Sequence, residues 1–157
     1  MPTVPTHTNS DDTAITQVVS GVYLSGTKPL RDGHVVGDID AILSCMPRPP
    51  RASSQYRQAT HTLVLGMKSN NSKEKYALTQ HRFEQAIVFI TEHVRAGRGV
   101  LVHCSHGRHR SANVVVAYLV KSGVCKDRAE ALDLVKSKRP SVSPETKELW
   151  SVIGDWI

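Results

Sequence analysis

The chain has 157 residues, 39% of them hydrophobic and 22% charged, which is typical of one globular domain and excludes disordered, collagen-like and fibrous proteins. The chain has 20 Lys and Arg against 14 Asp and Glu, which gives a formal net charge of +6. This charge favours anionic partners such as phosphates, nucleic acid or lipid headgroups. The longest apolar run, Val114 to Val120, is far shorter than the roughly 20 residues that cross a bilayer, and the N-terminus lacks an apolar signal-peptide core.

The N-terminal residues 1–14 are mostly Pro, Thr, Asn and Asp and predict a flexible leader, so we expect one folded domain over residues 15–157. The three cysteines are an odd number at no zinc-like spacing. We therefore expect reduced thiols and a cytoplasmic location, with the nucleus left open.

Short apolar runs predict the strands of the first half of the chain. The first run is broken at Gly21 and forms one or two strands. A basic, Pro-rich loop separates the second run from the third. The strands are expected within residues 16–24, 38–45 and 60–65.

In the second half, apolar residues recur at spacings of three and four from Phe83 to Val94 and predict an amphipathic helix that ends near Gly97. A buried strand over residues 100–102 and a largely buried helix over residues 111–121 follow. Asp127 and Glu130 form a capping-box pattern at the start of a helix to Lys138, and Ser143 with Pro144 starts a last helix.

The segment from Val100 to Ser111 reads VLVHCSHGRHRS and places a cysteine between the buried strand and the buried helix. Amide groups in a tight loop and in the first turn of a helix bind anions, and Gly107 lets the backbone turn without a Cβ clash. Arg110 adds a planar, permanently charged group that binds phosphate by two hydrogen bonds. The segment therefore predicts a phosphate site beside Cys104.

The same surroundings activate the thiol of Cys104. A cysteine beside a helix N-terminus, Arg110 and His103 has its thiolate favoured and becomes a nucleophile near neutral pH. Phosphoryl transfer requires mainly positioning and charge stabilisation, so these groups suffice to form a phosphocysteine. Ser111 can donate a hydrogen bond to the sulfur as it leaves.

The motif HCSHGRHRS resembles the His-Cys-five residues-Arg-Ser/Thr signature of cysteine-based protein tyrosine phosphatases. Further segments are similar to the small dual-specificity phosphatases, and the resemblance extends roughly from Val18 to Trp150. These segments are GVYLSG, AILS, FEQAIVFI, SANVVVAYLV and RPSVSP.

The resemblance implies a role for each residue of the motif. Cys104 is the nucleophile, Arg110 the phosphate clamp, Ser111 the aid to thiolate departure and His103 the support of the loop. The substrate phosphate is bound by the backbone from Ser105 to Arg110, which comprises Ser105, His106, Gly107, Arg108, His109 and Arg110.

The resemblance also implies a fold and a function. The fold is a single α/β domain, a central, mostly parallel, twisted sheet with helices on both faces, and residues 15–157 are the catalytic domain. The function is hydrolysis of phosphotyrosine in proteins, with phosphoserine and phosphothreonine left open, through a phosphocysteine and without metal or cofactor. Phosphorylated proteins are the expected partners.

The sequence departs from that family at the general acid. Dual-specificity phosphatases carry an aspartate on the loop before the helix that here holds Phe83, and this chain has none there. Glu74 is the only carboxylate between Ala41 and Phe83 and is the candidate acid. The alternative is a solvated loop glutamate, which is the commonest fate of such a residue.

A second departure lies inside the motif, where His106, Arg108 and His109 make the loop unusually basic. His106 resembles the His-Cys-Thr-His-Gly loops of RNA 5′-triphosphatases, and Arg108-His109-Arg110 is similar to a Lys-His-Arg run in plant and fungal phosphatases of inositol pyrophosphates. Anhydrides release a stabilised phosphate that needs little protonation. A phosphoanhydride phosphatase, acting on an RNA 5′ end or an inositol pyrophosphate, and a phosphate-binding pseudophosphatase with weak or no turnover are therefore the alternatives.

Two further interpretations concern the thiols and imidazoles. A zinc cluster of His103, Cys104, His106 and His109 is disfavoured, because the arginines of the same loop repel a cation. Cys45 ends a predicted strand, and some relatives in this superfamily protect their nucleophile by a reversible disulfide. A Cys45–Cys104 pair is therefore one hypothesis, and a small buried hydrophobe is the other.

Overall fold

The structure is a computed structural model that describes residues 14–32, 38–48, 59, 61–67 and 76–143, apart from the side chains of residues 76–79. Within these ranges lie five strands: β1 (Thr16–Val19), β2 (Val22–Ser25), β3 (Ile39–Ser44), β4 (His61–Val64) and β5 (Gly99–His103). Four helices accompany them: α1 (Lys28–Arg31), α2 (Tyr76–Arg95), α3 (Arg110–Lys121) and α4 (Arg128–Lys138). The leader up to residue 13 and the predicted last helix from Pro144 lie outside the described residues.

The predicted strands and the three predicted helices within the described ranges are confirmed, and α1 was not predicted. The early valine-rich run forms two strands, which turn at Gly21 with a φ of +82°. At the start of α4, the Asp127 side chain accepts a hydrogen bond of 2.9 Å from the Glu130 amide, as expected of an N-cap.

The five strands form one sheet in the order β1-β2-β5-β3-β4. Only β1 and β2 pair antiparallel, and the other neighbours are parallel. Ser25 of β2 and Ser44 of β3 both pair with His103 at the end of β5. Because the carboxyl ends of parallel strands share one edge of the sheet, the residues that follow β2, β3 and β5 lie together there.

Side chains of β5 alternate between two hydrophobic clusters. Val100, Val102 and the following Cys104 lie in the larger cluster, which α2, α3 and α4 complete. Leu101 lies in the smaller cluster with Leu30 of α1. Helices therefore cover both faces of a mostly parallel sheet, and the predicted α/β fold is confirmed.

Helix α3 is buried without interruption from Ser111 to Leu119. A helix enclosed on all sides cannot shift without disturbing the core, since protein interiors are close-packed. The N-terminus of α3 is thereby fixed in position directly after the loop that follows β5.

Candidate active site

The loop of residues 104–109 connects β5 to α3, and the neighbouring strand ends hold it. The Cys104 amide donates to the Ser25 carbonyl at 3.4 Å, and the Cys45 amide donates to the His103 carbonyl at 2.8 Å. Thr27, after β2, donates through its amide to the Ser105 carbonyl at 3.0 Å and through its hydroxyl to the Cys104 carbonyl at 3.1 Å. The loop backbone is thus fixed before any substrate binds.

Two glycines allow this close approach of backbones. Gly107 has a φ of +69°, and a Cβ built on it would lie 2.5 Å from the carbonyl carbon of Ser25. A Cβ on Gly26 would lie 2.7 Å from the Ser105 carbonyl oxygen. Neither position has room for a side chain, so both glycines determine the shape of the loop.

The Cys104 thiol is 3% exposed, and its sulfur lies 3.0 Å from the hydroxyl oxygen of Ser111. Burial alone raises the pKa of this thiol. Hydrogen bonds from the Ser111 hydroxyl, the Ser111 amide and the Gly107 amide, together with the charge of Arg110, outweigh burial and leave the pKa below its usual value. The site therefore favours the thiolate.

His103 is fully buried, and burial lowers its pKa to about 4 against the hydrogen bond that it makes with the Cys104 carbonyl. Since a carbonyl only accepts, Nδ1 carries the proton and donates to it at 3.4 Å. His103 is therefore neutral at pH 7. Its role in supporting the loop stays a prediction, with which the bond to the Cys104 carbonyl agrees. A neutral imidazole adds no positive charge beside the thiol, and the charge that lowers the pKa of Cys104 comes from Arg110.

Arg110 is the first residue of α3, and its Nη1 donates to the Met67 carbonyl at 3.0 Å. Met67 is buried, and it belongs to the short segment that follows β4. This bond ties the guanidinium to the chain just before the segment that contains Glu74. Glu74 itself lies outside the described residues, so its role as general acid stays a prediction.

The other residues of the segment predicted to bind the phosphate, 105–109, also have contacts outside the loop. His106 and His109 are both exposed, and the Nδ1 atom of His109 forms a hydrogen bond with the Ser143 carbonyl. The Arg108 carbonyl accepts from the Ser143 amide at 2.9 Å. The segment after α4 therefore binds the far side of the loop.

Arg139 contacts the same loop and was missed by the sequence analysis. Its side chain is fully buried, and it donates from Nε to the Gly107 carbonyl at 3.0 Å and from Nη2 to the His106 carbonyl at 3.1 Å. In sequence it is one more basic residue at the end of a basic helix. Two signals distinguished it: its position directly before Pro140, where α4 stops, and its place at the start of the segment RPSVSP.

Cys45 follows β3 as Cys104 follows β5, and the preceding residues, Ser44 and His103, are register partners. Burial, and then the negative charge of Cys104, raise the pKa of the Cys45 thiol well above its usual value. Both thiols are free. The two cysteines are neighbours as the hypothesis requires, and their oxidation to a disulfide stays a prediction.

The fold and this site can now be compared with known proteins. The family described as "Dual specificity phosphatase, catalytic domain" matches residues 22–155. The chain therefore belongs to the dual-specificity phosphatase family.

Curated relatives agree with this assignment. "Dual specificity protein phosphatase 22-B" of Danio rerio is 34% identical over 134 residues, which are 84% of this chain and 68% of the relative. "MAP kinase phosphatase with leucine-rich repeats protein 3" of Dictyostelium discoideum is 30% identical over 82% of this chain, and "Dual specificity protein phosphatase 1" of Arabidopsis thaliana is 51% identical over 40%. The matched regions span only 14% and 31% of those two proteins.

Solved structures show the same fold. The crystal structure of human DUSP28 matches 90% of this chain with a TM-score of 0.73 at 23% identity and is itself covered to 91%. The crystal structure of DUSP15 also matches 90% of the chain, with a TM-score of 0.73 at 22% identity and 88% of its own length covered. Within the part of the chain that the structure describes, no helix is long and apolar enough to span a membrane.

Proposed function

We propose that this domain hydrolyses phosphotyrosine in proteins through a phosphocysteine on Cys104, with phosphoserine and phosphothreonine as further substrates to be tested. One observation carries the proposal. A thiol of lowered pKa lies 3.0 Å from the Ser111 hydroxyl at the N-terminus of a buried helix. Membership of the phosphatase family supports the reaction class.

In the first step the Cys104 thiolate attacks phosphorus, an S–P bond forms and the ester P–O bond breaks. The amides of the loop and the Arg110 guanidinium stabilise the charge on the three equatorial oxygens. The leaving phenolate takes a proton from Glu74, if that residue is the acid. In the second step water attacks the phosphocysteine, a P–O bond forms and the S–P bond breaks. The acid, deprotonated in the first step, takes the proton of the water, inorganic phosphate leaves, and the Ser111 hydroxyl donates to the departing thiolate.

A phosphoanhydride is the second candidate substrate, and the exposed position of His106 favours it. This imidazole is exposed on the loop, where it can donate a hydrogen bond to a second phosphate group. A pseudophosphatase requires a site unable to attack phosphorus, and the hydrogen bond between Ser111 and Cys104 speaks against that alternative.

The deciding experiment compares phosphate release from a phosphotyrosine peptide and from a 5′-triphosphorylated RNA oligomer, with Cys104→Ser as the inactive control. We expect the peptide to be the better substrate and Cys104→Ser to bind it without turnover. Faster release from the RNA assigns the anhydride function. Release at an undiminished rate by Cys104→Ser contradicts the phosphocysteine mechanism.

The role of Glu74 has its own test. Glu74→Gln should slow hydrolysis of the phosphotyrosine peptide by about 10²- to 10⁴-fold, the usual contribution of general acid catalysis. The matched control is Glu92→Gln, which neutralises an exposed glutamate of α2. An unchanged rate and an unchanged pH profile for Glu74→Gln exclude this residue as the acid.

A further inference from the structure

We call the loop of residues 104–109 the phosphate loop. Arg139, the largest fully buried side chain among the described residues, contacts it on its outer side. Besides its bonds to the carbonyls of His106 and Gly107, its Nη1 donates to the Ala14 carbonyl at 3.1 Å and to the Thr16 hydroxyl at 2.9 Å. Arg139 therefore joins the end of α4, the loop and the first strand. Because a charged donor makes roughly twice as strong a hydrogen bond as a neutral one, this contact is a strong one.

The two loop carbonyls belong to peptide groups that face the reaction. The His106 carbonyl and the Gly107 amide form one peptide group, and the Gly107 amide is among the donors that lower the pKa of the Cys104 thiol. In a trans peptide the C=O and N–H bonds point in opposite directions. The guanidinium and the sulfur thus lie at opposite ends of the same peptide group.

We infer that Arg139 is a positioning residue of this active site, which orients and polarises the peptide groups of the phosphate loop that face Cys104 and the substrate. A carbonyl that accepts from a cation makes the amide of its own peptide group a better donor, because hydrogen bonds in a chain strengthen one another. The Gly107 amide and, through the Gly107 carbonyl, the Arg108 amide receive this effect. The inference rests on the proposed function only for its effect on turnover.

The backbone of the same segment holds the loop in register with Arg139. The Val142 amide donates to the Arg139 carbonyl at 3.0 Å, and the next residue, Ser143, bonds to Arg108 and His109 of the loop. Arg139 thus belongs to a segment that is itself bound to the loop. The position of its guanidinium relative to the His106 and Gly107 carbonyls is therefore fixed.

The test measures the pKa of the Cys104 thiol from the pH dependence of its alkylation by iodoacetamide, with the modified cysteine identified by peptide mass spectrometry. Arg139→Met removes the guanidinium and is expected to raise this pKa by about one unit, which makes alkylation at pH values below it about tenfold slower. Arg139→Lys keeps the positive charge but loses the planar guanidinium with its several donors, and it should shift the Cys104 pKa by an intermediate amount. Inorganic phosphate should bind both variants more weakly.

Lys138→Met is the matched control, because Lys138 is the exposed neighbour of Arg139 and its loss removes the same charge without a bond to the loop. We expect the control to leave the Cys104 pKa unchanged. A folded Arg139→Met protein with the Cys104 pKa of the wild type overturns the inference, and so does an equal shift in Lys138→Met. Alkylation requires no substrate, so this result is independent of whether the domain hydrolyses phosphotyrosine.

If Arg139→Met does not fold, the coupling between Arg139 and Cys104 is tested with Arg139→Lys and the wild-type protein. Coupling between two groups is reciprocal. The NMR resonance of the Arg139 Nε–H proton should therefore shift with the same midpoint as the ionisation of Cys104. A resonance that stays constant through that ionisation, combined with an unshifted Cys104 pKa in Arg139→Lys, contradicts the proposed coupling.

Discussion

The ionisation of the Cys104 thiol depends on two opposing effects. Burial favours the neutral thiol, while three hydrogen-bond donors and the charge of Arg110 favour the thiolate. Hydrogen bonds to a charged group contribute about 1.5 to 3 kcal/mol each, so the loss of a single donor changes the balance measurably. The reactivity of this residue is therefore a property of its neighbours.

Ser111 is the donor whose removal is simplest to interpret. Ser111→Ala should raise the Cys104 pKa and slow hydrolysis of the phosphocysteine by about 10- to 100-fold, the effect of one hydrogen bond to a charged sulfur. Rapid-mixing kinetics with an aryl phosphate should show a burst of phenol followed by slow turnover. Ser122→Ala, at the opposite end of α3, is the control, and equal kinetics in the two variants would contradict the assigned role.

The neutral state of His103 makes stability depend on pH. Its pKa is about 4 in the folded protein and 6.5 in the unfolded chain, so the unfolded state binds a proton that the folded state does not. The contribution to stability is complete above pH 6.5 and is lost as the pH falls towards 4, by about 3 kcal/mol in total. Urea denaturation at pH 6.5 and pH 4 should show a loss that is larger by this amount in the wild type than in His103→Asn, because His93, whose pKa burial also lowers, contributes equally to both proteins.

At this scale the sequence could indicate contacts between neighbours along the chain. Cys104, Arg110 and Ser111 lie within one motif, and the contact between Cys104 and Ser111 follows from a strand, a loop and a helix in succession. Arg139 lies far from that motif in sequence and reaches the loop only through the packing of α4. Such a tertiary contact leaves no local pattern, and the neutral state of His103 likewise depends on burial that the sequence does not reveal.

Among the elements, the phosphate loop is the one whose backbone allows least change. Gly107→Ala should cost about 1 to 2 kcal/mol for the positive φ and more for the contact with Ser25, and it should weaken phosphate binding. Gly97→Ala is the matched control, because Gly97 also has a positive φ, of +81°, but nothing lies within 4 Å of an added Cβ. Urea denaturation and phosphate titration of both variants separate the effect of the close contact from that of the backbone conformation. Equal losses of unfolding free energy in Gly107→Ala and Gly97→Ala would contradict the role of the close contact.

Helix α4 is the element that carries Arg139 to the loop, and its N-cap contributes to its stability. Asp127→Ala should lower the free energy of unfolding by about 1 kcal/mol, the usual value for an N-cap. Asp133→Ala removes the same charge from an exposed position within α4 and should be neutral or slightly stabilising. Chemical denaturation measures the free energy of unfolding of both variants. An equal loss in the two would assign the effect to the removed charge and contradict the N-cap.

The helices and strands were largely predictable because their signals are periodic or local. The stripe from Phe83 to Val94 and the Asp127 cap were sufficient to place α2 and α4. Helix α1 was missed because its four residues, Lys28–Arg31, are too few for any periodicity, and only Pro29 at its start indicated it. The strand order was not predictable from the residues themselves, because register depends on partners distant in sequence.

Over the whole molecule, the net charge of +6 should accelerate the approach of phosphorylated substrates. Raising the salt from about 20 mM to about 200 mM should lower kcat/KM for a phosphotyrosine peptide several-fold, since the Debye length at 0.1 M is about 10 Å. Alkylation of Cys104 by uncharged iodoacetamide should not change. A kcat/KM value independent of salt would contradict electrostatic steering.

The place of β5 between β2 and β3 has a consequence for the dynamics of the domain. Within the described sheet, β1 and β4 are the outer strands, and their amides can open to solvent without separating the three inner strands. The Cys45 amide, which donates to the His103 carbonyl between β3 and β5, is therefore expected to be among the last amides of this region to exchange its hydrogen. Opening of an outer strand should therefore leave β5, which ends directly before Cys104, paired with β2 and β3 on both sides.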